Sequence, residues 1–391
     1  MQLHIVIIGS SIAGLSAAEA ARQKAPDCRI TILSEDTHYP YFRQRLAEVL
    51  TDRNKAEKLY LHPESWYTER GFDLRLNHRV TGLDPENKAV SLENGEIITY
   101  DKLILASGSA SFVPRMPGAE LSGVETLWTM EDALRIEAKL QNAKRGIVIG
   151  GGLLGLEAAS AMHERGLETL VLERLPRLMM RQLDERSAEL FTAKVESEGT
   201  RVTTQACVAE IYGDEEGRVK GIRLEDGQDF PCDLVLVSAG VMARTEYLKD
   251  SGVLIDRKII VDDRMRTNVP DIFAAGDCAV MDGRWYGLWM IAKLQGQIAG
   301  ENAAGFDARC VMQTPPYMVK TMGTQIVSSG LIEEGGLAQD QQAHLRADIT
   351  ENSEAFQYSK KLYISDQLSG FVLLGDTKAF SKLLKELKTP E

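Results

Sequence analysis

The 391-residue chain is 44% hydrophobic and 26% charged, a balance that suits an ordered protein of two or three domains, each with a core of ordinary size. Its 57 acidic residues against 45 Lys plus Arg leave a net charge of −12, which argues against nucleic acid or an anionic membrane as partner. No uninterrupted apolar run reaches the ~18 residues of a membrane span, and no basic, apolar leader precedes the first strand, so a cytoplasmic location is expected.

Residues 3–8 form an apolar run rich in β-branched residues, the pattern of a buried strand. Gly9-Ser10-Ser11-Ile12-Ala13-Gly14 follows, then an alanine-rich helical stretch over 15–22, a strand over 29–33 and an acid, Glu35. This is the layout of a dinucleotide-binding fingerprint. The first glycine permits the tight turn, the second lets backbone approach a pyrophosphate, and the third lets helix and strand pack closely. Phosphate then meets the N–H groups of a helix start, and the acid accepts hydrogen bonds from ribose hydroxyls. Ser11 stands in place of the middle glycine, and its small side chain should still admit the pyrophosphate.

Residues 79–83, 89–92 and 96–100 alternate as a meander with turns at 85–87 and Asn94-Gly95. A buried strand over 103–106 ends in Ser107-Gly108, and the two prolines of 113–118 mark a connection between domains. A helix over 131–143 leads into a second fingerprint: strand 146–149, turn Gly150-Gly151-Gly152-Leu153-Leu154-Gly155, helix 156–165, strand 168–172 and acid Glu173. That acid argues for a free 2′-OH, hence NADH over NADPH, while Arg174 beside it pulls the other way. Strands over 202–204, 219–224 and 234–237 come next, and the last ends in Ser238-Ala239-Gly240. Residues 267–277 read as a strand ending in Gly276-Asp277, with the carboxylate at the sheet's carboxyl edge. A helix over 289–304 opens at Trp289 and turns the positive end of its dipole toward a cofactor ring.

Cys28, Cys207, Cys232, Cys278 and Cys310 are scattered, with no Cys-x-x-Cys and no metal-ligand spacing, so they read as buried filler rather than as a redox pair.

The order of these motifs resembles the FAD-dependent pyridine nucleotide-disulfide oxidoreductases over nearly the whole chain. The resemblance implies an α/β fold of two interleaved Rossmann-like dinucleotide-binding domains, the glutathione-reductase-like FAD/NAD(P) fold, with a small α+β C-terminal domain. The FAD-binding domain would take 1–110 and 238–311, the NAD-binding domain 111–237 and the C-terminal domain 312–391. FAD would be held by Gly9, Ser10, Ser11, Ala13, Gly14 and Glu35, by Ala106-Ser107-Gly108 (similar to the family's Ala-Thr-Gly), by Gly276, and by Asp277 through ribityl or phosphate oxygens. Trp289 would open the helix facing the ring. Arg43 and Arg45 lie in a segment similar to that of ferredoxin- and rubredoxin-type reductases, although Gln44 replaces the usual proline and the lysine found just beyond in many relatives is missing. NADH would be held by Gly150, Gly152, Leu153, Leu154, Gly155, Glu173 and Gly240. Glu157 matches a glutamate that lies close to nicotinamide and flavin; the plainer alternative is a carboxylate favoured by its helix dipole.

The C-terminal region, with Leu373-Leu374-Gly375-Asp376 and a helix over 378–387, resembles the small domain of NADH:rubredoxin and NADH:flavorubredoxin reductases. The resemblance implies an NADH-dependent flavoprotein passing electrons, without a disulfide, to a small iron-protein carrier, rubredoxin foremost. A ferredoxin reductase of an oxygenase system, an NADH oxidase and a redox-sensing flavoprotein acting by protein contact stay open. The oxidase is disfavoured because relatives use a cysteine near the flavin and none lies between 29 and 206. An acidic carrier calls for local basic charge, for which Arg43, Arg45, Lys55, Lys58, Lys378, Lys382, Lys385 and Lys388 are candidates. Trp285 and Trp289 either shield the ring or pack in the core.

Overall fold

The computed structural model describes residues 2–311, 315–335, 337 and 344–387; Lys388 and the expected outer limits at 1, 312 and 391 lie outside them. The chain divides into two compact units, one of Met1–Arg43, Ala56–Ser111 and Val241–Val311, the other of Gln44–Lys55, Phe112–Gly240 and Met312–Glu391. It is an α/β protein in which each unit is built on a Rossmann-like parallel sheet.

In the first unit the strand order is Ile272–Ala274, Lys102–Leu105, His4–Ile8, Arg29–Leu33, Phe72–Arg75, with every neighbour parallel. Ile5, Val6 and Ile7 are fully buried, as a central strand covered on both faces requires. The ladder runs on into the fingerprint, where Gly9 N–H donates to the Leu33 carbonyl at 2.7 Å. The fingerprint helix, Ile12–Lys24, lies along the helix Trp289–Ala303. Their backbones nearly touch: a Cβ on Gly296 would sit 2.2 Å from the Ala13 carbonyl oxygen, and one on Gly300 2.1 Å from that of Ala17. Glycines four apart on one helix thus meet alanines four apart on the other, each pair lying on a single face. The meander is present as Val80–Asp84, Ala89–Leu92 and Ile97–Thr99.

The second unit repeats the plan in the order Arg201–Thr203, Glu168–Leu172, Arg145–Ile149, Leu234–Val237, Val124–Glu125, again all parallel. The two sheets differ in the source of the fifth strand. In the first unit it comes late, at Ile272–Ala274, and in the second it precedes the fingerprint, at Val124–Glu125. The same unit holds an antiparallel sheet ordered Tyr317–Thr321, Thr324–Gly330, Gln367–Leu374, Gln357–Ile364, Leu345–Asn352. The helix Phe380–Glu386 sets Leu383 against Val327, Leu368, Phe371 and Leu373 of that sheet. Asp184 joins this sheet to the helix Glu185–Ser197: it caps Ser187 N–H, accepts from Tyr358 Oη at 2.9 Å and pairs with Lys360 at 3.1 Å, all of them buried. Burial alone would raise the Asp184 pKa, but these bonds outweigh it and hold the carboxyl below its ordinary value.

Both fingerprint helices start earlier than the glycine pattern predicts, at Ile12 and Leu153 rather than 15 and 156. Ser11 and Gly152 are extended N-caps, so the last three residues of each fingerprint already form the first helical turn.

Gly300→Ala weighs two effects of opposite sign. Alanine improves helix propensity by about 1 kcal/mol. Its methyl, 2.1 Å from a backbone oxygen that cannot rotate aside, overpacks the helix pair at a cost of roughly 1–3 kcal/mol or more. We expect net destabilisation, seen as a lower denaturation midpoint, and a midpoint raised by the substitution would contradict the close approach.

Candidate functional site

In the first unit, segments distant in sequence converge at the fingerprint. Gly9 has φ +105°, and a Cβ there would lie 2.1 Å from the Ala106 carbonyl oxygen, while a Cβ on Gly14 would lie 1.9 Å from that of Gly9. Gly276, at φ +80°, comes against Ala13, and its N–H donates to Gln295 Oε1 at 2.9 Å. Ser10 Oγ donates to Ser34 Oγ at 2.8 Å. Ser107 Oγ donates to the Arg244 carbonyl at 2.8 Å and accepts from Tyr247 Oη at 3.2 Å, while Gly108 faces open space. Glu35 is ion-paired with the Arg244 guanidinium.

Asp277 Oδ2 accepts from Ser109 Oγ at 3.2 Å. Burial pushes its pKa up, against the opposing effects of Ser109 and of the Lys258 and Arg43 charges. Lys258 carried no signal in the sequence, yet its Nζ donates to the Asp277 carbonyl at 3.1 Å and stands 4.1 Å from the centroid of the Trp285 ring. Trp289 stacks on Phe42 with centroids 5.6 Å apart, and Arg43 lies over Tyr41. Arg45 falls in the second unit, where it grips Glu48 with two bonds of 2.6 and 2.9 Å. Cys278 is buried and donates to the Leu105 and Ala275 carbonyls.

The second unit repeats the turn. Gly150 has φ +116° and its Cβ would lie 2.2 Å from the Ser238 oxygen; one on Gly155 would lie 2.1 Å from the Gly150 oxygen. Gly152 and Gly240 meet nothing within 4 Å. Glu173 folds onto the turn, accepting from Gly151 N–H at 2.6 Å and Leu175 N–H at 2.7 Å. On the helix beginning at Leu153, Glu157 Oε1 is buried with no hydrogen-bond partner among the described residues. Burial raises its pKa, the Glu48 and Glu164 charges raise it further, and the Thr321 hydroxyl opposes them. Burial likewise raises the Tyr317 phenol, and the Glu157 charge adds to it.

Helix starts sort into two kinds. Among the described residues, five helices have eight or more residues. Met130–Leu140 is closed by a Thr129–Asp132 capping box and Glu185–Ser197 by Asp184. The three that start at Ile12, Leu153 and Trp289 have no side-chain cap, and their first N–H groups have no partner within the helix. Open backbone at Gly152, bare N–H groups and a carboxylate after the next strand fit a dinucleotide in the second unit; the same turn with the polar cluster around Asp277 fits FAD in the first. The described residues hold no His/Cys/Asp/Glu group suited to a metal ion, and no described helix is long and apolar enough to cross a membrane.

Residues 3–296 match the pyridine nucleotide-disulphide oxidoreductase family. The chain is 33% identical to an NAD(P)H nitrite reductase of Bacillus subtilis over 99% of its own length and 48% of that protein's. It is 30% identical to the NADH-rubredoxin oxidoreductase of Clostridium acetobutylicum over 98% of its own length and 94% of that protein's. It thus spans about half of one relative and nearly all of the other. The solved ferredoxin reductase of the CYP199A2 system from Rhodopseudomonas palustris superposes with a TM-score of 0.88 at 26% identity, covering 99% of this chain and 96% of that one.

The raised pKa of Glu157 gives a signed expectation. The folded chain binds this proton more tightly than the unfolded one, so stability is lost as pH rises from the ordinary carboxylate value of 4.5 through the higher folded value. Glu157→Gln removes that loss. In calorimetric scans the variant should gain on the parent as pH rises from 4.5 to 8; a difference independent of pH would refute the assignment.

Proposed function

The chain belongs to the pyridine nucleotide-disulphide oxidoreductase family, and from that premise we propose that it is an NADH-dependent FAD oxidoreductase delivering electrons, without a disulfide relay, to a small iron–sulfur protein. The observation that carries this reading is the pair of uncapped glycine turns, each followed by a strand and an acid, one in each unit.

Bound FAD supplies the exchange between a two-electron donor and one-electron iron carriers. The chain's own residues do the rest. Gly9, Ser10, Ser11, Ala13 and Gly14 offer backbone to the FAD pyrophosphate, Glu35 the ribose contact, and Ala106, Ser107, Gly108 and Gly276 the close-fitting wall. Asp277 holds the ribityl or phosphate oxygens, and the helix opening at Trp289 directs positive potential at the ring. Arg43 adds positive charge beside Asp277, whereas Arg45 is already engaged by Glu48. Gly150, Gly152, Leu153, Leu154, Gly155 and Gly240 cradle NADH, Glu173 takes the ribose hydroxyls, and Glu157, whose pKa burial raises, faces the nicotinamide.

Rubredoxin is the favoured acceptor, because the relative named for it matches this chain almost end to end. A second reading rests on the nitrite reductase, half of which the chain spans: the same module would feed electrons to a larger reductase. Anaerobic mixing with one equivalent of NADH should bleach the flavin band, with fast recovery on adding rubredoxin and slow recovery with ferredoxin or air. Fast recovery in air would make the protein an oxidase, and no bleaching would leave a binding role.

Cofactor choice has its own test. Glu173→Arg removes the ribose acceptor and adds a phosphate partner, so the NADPH/NADH ratio of kcat/KM should rise at least tenfold, about 1.4 kcal/mol. An unchanged ratio would rule out Glu173 as the ribose contact.

A further inference from the structure

Lys258 is a half-buried cation that takes part in no ion pair among the described residues. It opens the strand Lys258–Val261, which runs parallel to Ala279–Met281 with Ile259 opposite Ala279. That pairing sets Lys258 beside the Asp277-Cys278 peptide, where its ammonium donates to the Asp277 carbonyl at 3.1 Å and rests 4.1 Å from the Trp285 ring centroid. Trp285 is itself held with a buried Nε1 that has no partner among the described residues. A carbonyl dipole and an aromatic face are weak compensation for a desolvated ammonium, and burial lowers the Lys258 pKa accordingly. The negative charge that acts on it most strongly is that of Asp277. The arginine segment, meanwhile, carries no lysine just beyond Arg45. A half-buried cation with no ion pair among the described residues, next to the carboxylate that ends the first unit's sheet, is arranged for an anion arriving with the ligand.

Resting on the flavin reading above, we propose that Lys258 is the charge-compensating residue of the flavin site, favouring the reduced over the oxidised cofactor. Reduction of FAD by NADH brings in two electrons and one proton, so the ring system gains one negative charge. A fixed ammonium that is already partly desolvated stabilises that charge with little reorganisation. Lys258 also fixes the Asp277 backbone, and the test must separate this anchoring from the charge.

Lys258→Gln keeps a donor for the Asp277 carbonyl and deletes the charge, while Lys258→Arg keeps both. On the full-length flavoprotein, spectroelectrochemical titration should show the Lys258→Gln midpoint lowered by about 30 mV, a tenfold weaker preference for the reduced form of a two-electron couple, with Lys258→Arg close to the parent. A Lys258→Gln protein that is folded and flavin-bound with an unchanged midpoint would overturn the proposal and leave the lysine an anchor. If Lys258→Gln sheds its flavin, its dissociation constants for oxidised and dithionite-reduced FAD replace the midpoint: a tenfold greater loss for reduced FAD supports the role, and equal losses overturn it. An unaltered chain that binds no FAD at all would instead sink the flavin reading on which this inference rests.

Discussion

At Gly9, Gly296 and Gly300 two stretches of backbone come so close that a single methyl group would have to displace one of them. These contacts tie the fingerprint turn to the end of the strand Lys102–Leu105 and the fingerprint helix to the helix Trp289–Ala303. Most of the first unit's chemistry depends on them. They hold two uncapped helix starts in fixed relation and bring Gly276 and Asp277 to the same edge, with no side chain left between the elements to absorb a shift. Precision here comes from removing atoms, since interiors packed at crystal density transmit any displacement.

Partly or fully buried acids in this chain behave in two opposite ways. Asp184 receives a backbone N–H, a phenol and an ammonium, so its charge is compensated within the fold and its pKa falls. Glu157 and Asp277 are half-buried, Glu157 Oε1 has no hydrogen-bond partner among the described residues, and burial raises the pKa of both. A fold selected for stability alone would pair or replace such groups, because an unsatisfied buried polar atom costs on the order of 1–3 kcal/mol. Their position next to uncapped helix starts supports the proposal that a ligand completes the bonding in both regions.

The parts of this architecture legible in the sequence are those whose physics is local. A βα turn needs its glycines and its acid within about 30 residues, so both fingerprints, Glu35, Glu173 and the Gly276-Asp277 turn could be read directly. What stayed hidden depends on contacts made across the fold. Lys258 reaches Asp277 only because two strands pair in parallel, and nothing in the sequence around Lys258 announces that register. Arg43 and Arg45 look equivalent two residues apart, yet Glu48 grips Arg45 while Arg43 lies over the Tyr41 ring. Phe72–Arg75 and Leu345–Asn352 lie at sheet edges: the first alternates apolar and polar residues over only four positions, and the second begins with the same alternation yet is almost wholly exposed, so neither stands out as a buried strand. The early helix starts are hidden because glycine propensity argues against helix where the N-cap geometry imposes it.

The different origins of the two fifth strands matter for how the chain is made. The second sheet takes its outer strand, Val124–Glu125, from just before its own fingerprint, so all five strands lie between 124 and 237 and emerge in one continuous stretch. The first sheet must wait for Ile272–Ala274, and its fingerprint helix for Trp289–Ala303, long after His4–Ile8 has left the ribosome. At about 5–20 residues per second that delay is on the order of tens of seconds, during which a strand that is apolar from Ile5 to Ile8 and the small-residue face of its helix have no permanent cover. Of the two parallel sheets, the one that starts first in the chain is therefore the one finished last, and the nascent protein passes through a stage in which its second parallel sheet can fold while its first still depends on protection from aggregation.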